Sequence, residues 1–249
     1  MASCFASLCD CTGYLARTFS LGVPGGENGT SVAAPDAPVP AALIRFRCAS
    51  TSGGSGTSRP GIFCGSAAGA RPEYAAAAAA LGRELAARGL GLVYGGGGVG
   101  LMGAVSAAAQ DAGAEVIGII PHGLVAREAG AKQLKDMRVV ASMHERKALM
   151  AELSDGFIVL PGGYGSLEEA VETLTWLQLG IQRKGIVFVD TLGYWQKLMG
   201  ALDHMLAEGF LRTEMRAAAM LAPDGAAAID ALARFSPPDV PRWLSPGET

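Results

Sequence analysis

From Arg59 onward, short apolar runs alternate with longer stretches whose apolar residues recur at helical spacing. The runs Ile62-Phe63-Cys64, Leu90 to Tyr94, Glu115 to Ile120, Phe157 to Leu160 and Ile186 to Val189 are each followed by Gly, Pro or Asp, and they predict buried strands. Helices are predicted near Pro72 to Arg88, Leu101 to Ala112, Glu145 to Leu153, Leu167 to Ile181 and Tyr194 to Glu208. Pro72 suits a first helical turn and Gly89 a left-handed stop. Strands and helices in this alternation make an α/β fold, a parallel sheet with crossover helices. Ligands of such sheets bind beyond the carboxyl ends of the strands, so the loops that follow the strands are where chemistry is expected.

The first 58 residues lack this pattern. They are rich in Ala, Ser, Gly, Pro and Thr, with few acids and no lysine, and cannot bury enough apolar surface to offset their ordering entropy. A disordered tail is expected there, and its composition suits an organelle (plastid) transit peptide and a low-complexity extension alike. Residues 59–235 are expected to form one α/β domain and 236–249 a Pro-rich tail carrying Trp243. A net charge of -3 argues against a nucleic-acid surface, which needs a basic excess to displace counterions. The longest uncharged run, Gly89 to Gln110, holds eight glycines and reads as strand, loop and helix in place of a membrane span. Only Cys64 of the five cysteines falls in the globular part, so no disulfide framework is available to it and a reducing compartment, the cytoplasm, is expected. No cysteine or histidine spacing matches a zinc site, and no metal is expected.

Three segments carry candidate chemistry. In Phe157-Ile-Val-Leu-Pro-Gly-Gly-Tyr-Gly-Ser-Leu-Glu-Glu169 a strand breaks into a glycine turn and enters a helix. The glycines allow close approach to a ligand, and the helix start offers free N–H groups to a phosphate. Ser166-x-x-Glu169 also reads as a capping box. A carboxylate so placed would be held ionised by the helix dipole. In Ser142-Met-His-Glu-Arg-Lys-Ala-Leu-Met150, Arg146 and Lys147 fall near a helix start, where cations are locally unfavourable unless an anion binds or Glu145 and Glu152 pair with them. Gly98-x-Gly100-x-x-Gly103 lies between a strand and a helix as in a dinucleotide fingerprint, but the next strand ends Ile119-Ile120-Pro121-His122 with no acid for a ribose diol. Phe63-Cys64-Gly65-Ser66, after the first strand, with Gly65 and Ser66 as the candidate contacts, is either a polar wall of the same crevice or a tight turn.

Together, Ser142-Met-His-Glu-Arg-Lys and Pro161-Gly-Gly-Tyr-Gly-Ser-Leu-Glu-Glu169 resemble the LOG (Lonely Guy) family of cytokinin riboside 5'-monophosphate phosphoribohydrolases, often labelled lysine decarboxylases, from about Arg59 to Pro223. The resemblance implies a Rossmann-like three-layer sandwich, usually a homodimer, that splits an N6-modified adenosine monophosphate into free base and ribose 5-phosphate with no metal or cofactor. It further implies Arg146 and Glu169 as the catalytic pair, with substrate contacts from Glu128, Lys147, Gly163, Tyr164, Gly165, Ser166, Leu167, Glu168 and Thr175. Ser166 stands where the family usually has Thr, and Gly98 where Ser or Asn is common. A nucleosidase acting on plain AMP, or a carrier that binds a nucleotide without turnover, uses the same crevice. A lysine decarboxylase would need a Schiff-base lysine and a pyridoxal phosphate pocket.

Overall fold

The computed structural model describes residues 57–125 and 134–239. Seven parallel strands form one sheet in the order β4-β3-β2-β1-β5-β6-β7. The strands are β1 (Pro60–Phe63), β2 (Leu92–Tyr94), β3 (Val116–Pro121), β4 (Asp136–Val140), β5 (Gly156–Val159), β6 (Ile186–Val189) and β7 (Ala219–Ala222). The helices are α1 (Pro72–Ala87), α2 (Gly100–Asp111), α3 (His122–Val125), α4 (Met143–Leu153), α5 (Tyr164–Gln178), α6 (Gln196–Ala207), α7 (Thr213–Ala218) and α8 (Gly225–Arg234).

Alternation along each strand sorts the apolar side chains into two layers. Ile62, Leu92, Tyr94, Ile158 and Val187 face Leu81 and Leu85 of α1, Val105 of α2 and Ile229 of α8. Phe63, Val93, Ile117, Phe157 and Phe188 face Met150 of α4, Ala170 of α5 and Met199 of α6. The sheet is therefore covered on both sides, as an all-parallel sheet must be. Pro72 is in the first turn of α1, and Gly89 ends that helix at φ 68.

The five predicted strands are all present, within two residues of their expected limits. Two further strands, β4 and β7, lie at the sheet's edges. An edge strand is buried on fewer sides, and Asp136-Met-Arg-Val-Val140 and Ala219-Met-Leu-Ala222 accordingly lack the unbroken β-branched run that marks a central strand.

Strand order reverses at β1, which pairs with β2 on one side and with β5 on the other, Pro60 opposite Gly156 and Phe63 opposite Val159. At that switch point the loops leaving β1 and β5 diverge to opposite faces and leave a crevice beyond the strand ends. The β1 loop is tied across it, with Gly65 N–H donating to Pro161 O at 3.0 Å.

Candidate functional site

Arg146 reaches the crevice from α4. Ser142 caps that helix by accepting the Glu145 N–H at 3.1 Å, and the Glu145 carboxylate accepts the Ala141 N–H at 2.7 Å. This reciprocal cap fixes the entry of α4, so that Arg146 runs beneath the carboxyl ends of β2 and β3. Its Nε donates to Ile119 O at 3.2 Å and its Nη2 to Gly95 O at 3.4 Å. Nη1 lies 3.6 Å from Glu169 Oε1. A Cβ on Gly95 would collide with the Arg146 guanidinium, so only glycine leaves room for this pose.

Glu169 comes from α5, and here two sequence expectations are corrected. The helix starts at Tyr164 with Gly163 as its N-cap and no side-chain cap, so Ser166-x-x-Glu169 is not a capping box. Ser166 is buried in the first turn against Gly162. Glu169 consequently sits in the second turn, past the reach of the helix dipole, with a side chain only 11% exposed. Burial is the largest influence on it; Arg146 and Lys147 favour its charge and Glu168 and Glu172 oppose it, and its pKa is raised to about 7. The expected fully ionised carboxylate is thus an acid that titrates at neutrality.

The crevice, about 270 Å³, is lined by Arg146, Glu169, Gly65, Ser66 and Gly163 to Ser166. The N–H groups of the first turn of α5 have no acceptor within the helix and belong to residues that border this space. Cβ atoms on Gly163 or Gly165 would meet nothing within 4 Å. Tyr164, 93% exposed, stands at the mouth. The α2 start is closed: Leu101 and Met102 N–H donate to Gly65 O at 3.0 and 3.3 Å, and Gly100, at φ 61, packs against Ser66. The Gly98-x-Gly100-x-x-Gly103 turn therefore serves packing of the β1 loop on α2.

Other predicted contacts lie outside the crevice. Lys147 donates to Glu168 at 2.6 Å and to Glu172 at 2.9 Å. Leu167 borders a neighbouring groove with Tyr194 and Leu198. The Thr175 hydroxyl donates to Val171 O at 2.8 Å on the exposed side of α5. Glu128 falls outside the described residues, as do most of the first 58 residues and Trp243.

Cys64 lines the crevice beside Gly65 and Ser66, and so do Gly95, Met102, Ile120 and Leu124, which sequence reasoning missed. Position offered a signal for Gly95, which directly follows a strand. Cys64 is buried, and burial followed by the charge of Glu169 pushes its thiol well above the usual cysteine range, so it is a neutral wall and no nucleophile. Tyr194 was missed as well: its hydroxyl donates to Gly162 O at 2.5 Å, and its ring packs edge-on against Tyr74 and Trp195. Tyr194→Phe frees the glycine turn at that carbonyl. Steady-state kinetics should show KM rising about 3- to 10-fold with kcat little changed; an unaltered KM would detach the tyrosine from ligand binding.

Among the described residues, no group of three His, Cys, Asp or Glu is placed to hold a metal ion, and no helix is long and apolar enough to cross a membrane.

Residues 102–232 match the protein family described as "Possible lysine decarboxylase". The chain is 46% identical over 176 residues to the cytokinin riboside 5'-monophosphate phosphoribohydrolase LOG4 of Arabidopsis thaliana, covering 71% of this chain and 82% of that one. It is 46% identical over 162 residues to the enzyme of the same activity named LOG in Oryza sativa subsp. japonica, covering 65% and 67%. Among solved structures, the molybdenum cofactor carrier protein of Chlamydomonas reinhardtii aligns with a TM-score of 0.55 at 21% identity, over 71% of this chain and 96% of that one. The molybdenum cofactor binding protein of Rippkaea orientalis gives 0.55 at 22%, over 72% and 97%. At such identities the likeness is one of fold, a Rossmann-like sheet between two helical layers.

Proposed function

This chain belongs to the LOG family of cytokinin riboside 5'-monophosphate phosphoribohydrolases, and we propose that it hydrolyses the N-glycosidic bond of an N6-modified adenosine 5'-monophosphate to free base and ribose 5-phosphate. The observation that carries the reading is the meeting of Arg146 and Glu169, 3.6 Å apart, from two different helices beside the open N-terminal turn of α5.

In this reading the glycine turn binds the 5'-phosphate through the first N–H groups of α5, which brings C1' of the ribose toward Glu169. As the bond from C1' to the base nitrogen lengthens, positive charge grows on the sugar, and the ionised form of Glu169 stabilises it. Water adds to C1' and gives its proton to Glu169, whose pKa near neutrality suits a base that must both take up and release a proton. The purine leaves with the bonding electron pair and takes up a proton from solvent, while Glu169 returns to solvent the one it took from the attacking water, which restores the starting state. Arg146 stays charged throughout; it holds the substrate in register and donates hydrogen bonds to the departing base. Because the ionised carboxyl is the working form, kcat/KM rises with pH through about 7.

The same reading includes a homodimer. It is supported by apolar side chains left exposed on the described surface, Tyr164 and Val171 of α5 among them. Leu177 of the same helix is in the core and takes no part in such an interface.

Purified protein mixed with N6-isopentenyl-AMP should release free base, detected chromatographically. The matching nucleoside without its phosphate should fall by at least about a hundredfold in kcat/KM, because remote phosphate binding is spent on orienting the reacting carbon. Equal turnover of the two would remove the phosphate cradle from the mechanism.

A further inference from the structure

Two rungs of charge join α4 to α5. Arg146 and Glu169 form the rung inside the crevice, at 3.6 Å. Their sequence neighbours form the other: Lys147 Nζ lies 2.6 Å from Glu168 Oε1 and 2.9 Å from Glu172 Oε1. The Lys147 side chain is 13% exposed, and with Glu172 and Trp176 it closes the seam between the helices behind the crevice. Two of its three N–H donors are spent on α5. Burial works against its charge, but the two hydrogen bonds outweigh that and hold it above the usual lysine range.

We infer that Lys147 is a positioning residue: by tying Glu168 and Glu172 to α4 it fixes the distance at which Arg146 faces Glu169, and it does not touch the nucleotide. The inference rests on the reading of Glu169 as the acid at C1'. It differs from the substrate contact that family resemblance implies for this lysine. Two physical effects follow from the geometry. First, α4 and α5 leave different strands and make no other ion pair at this level among the described residues, so the clamp sets the spacing of the catalytic pair. Second, Lys147 screens Glu169 from two carboxylates on its own helix. The charged and titratable groups facing Glu169 are Arg146 and Lys147 from α4, Glu168 and Glu172 from α5, and the Cys64 thiol from the end of β1. Removing the ammonium leaves the two flanking carboxylates unopposed, which makes ionisation of Glu169 harder.

The test reads Glu169 directly. Carbon-13 NMR of protein labelled at the glutamate carboxyl carbon, assigned with Glu169→Gln, follows its titration with or without catalysis. In Lys147→Gln the midpoint should move to higher pH, and in Glu172→Gln to lower pH. Lys147→Arg, which keeps both ion pairs, should restore the wild-type midpoint. In parallel, kcat of Lys147→Gln should fall about 10- to 100-fold, as displacement of a reacting group does, with KM within about twofold and the rising limb of the pH profile displaced upward. A KM increase above tenfold with an unmoved Glu169 titration would make Lys147 a substrate contact and overturn the inference. Unmoved titration in both variants would overturn it equally. If Lys147→Gln does not fold, Glu172→Gln carries the same test. If no nucleotide is hydrolysed at all, the proposed reaction fails while the NMR titration still decides the clamp.

Discussion

Glu169→Gln abolishes release of free base and at the same time removes a loss of fold stability that the wild type undergoes as pH rises to neutrality. The first effect follows from the loss of the one carboxyl that lines the crevice among the described residues, and a fall of roughly a thousandfold or more in kcat/KM is expected. The second follows from linkage. The folded-state pKa of Glu169 is about 7, above the ordinary 4.5. Between those values the folded protein keeps a proton that the unfolded chain has released, so the contribution of this group to stability declines as pH rises. The decline is complete just above pH 7 and amounts to about 3 kcal/mol. Glutamine carries no such titration. Denaturant melts of wild type and variant at pH 4 and pH 8 should therefore show the stability difference moving in the variant's favour by about that amount. A difference independent of pH would mean that Glu169 is not a buried acid.

Gly95→Ala inactivates the protein through Arg146. The backbone at Gly95 is outside the left-handed region, so alanine fits the main chain. Its methyl group, however, enters the space of the Arg146 guanidinium. Arginine is the more mobile of the two and gives way, losing the carbonyls of Ile119 and Gly95 and its place opposite Glu169. Base release should fall by about a hundredfold in Gly95→Ala and by roughly a thousandfold in Arg146→Ala, with thermal melts near those of wild type. In the double variant the Gly95 substitution should cost nothing further, since the group it displaces is gone. Additive losses would show that Gly95 acts by some route other than Arg146.

Central strands were legible because burial on both faces demands continuous runs such as Ile186-Val-Phe-Val189, and glycine and proline mark where those runs stop. The edge strands were not, since Ala219-Met-Leu-Ala222 has the composition of a helix and is made a strand by its pairing with β6. Arg146 and Glu169 were legible as residue types at helix starts. The ionisation of Glu169 was not, because the local sequence places a carboxyl near a dipole while the tertiary structure buries it one turn further on. Lys147 shows the same limit: its partners Glu168 and Glu172 are 21 and 25 residues away, on another helix, whereas local spacing pointed to Glu145 and Glu152.

The pairing of β1 with β5 also governs when the chain becomes competent during synthesis. Arg59 N–H donates to the Asp155 carboxylate, and Pro60 lies opposite Gly156, so nearly a hundred residues separate the two sides of the crevice. Until β5 and α5 have left the ribosome, β1 has one open hydrogen-bonding edge and no glycine turn beside it. The nascent chain passes through a stage in which half a sheet is translated and its inner strand awaits a partner, the kind of intermediate that invites chaperone capture.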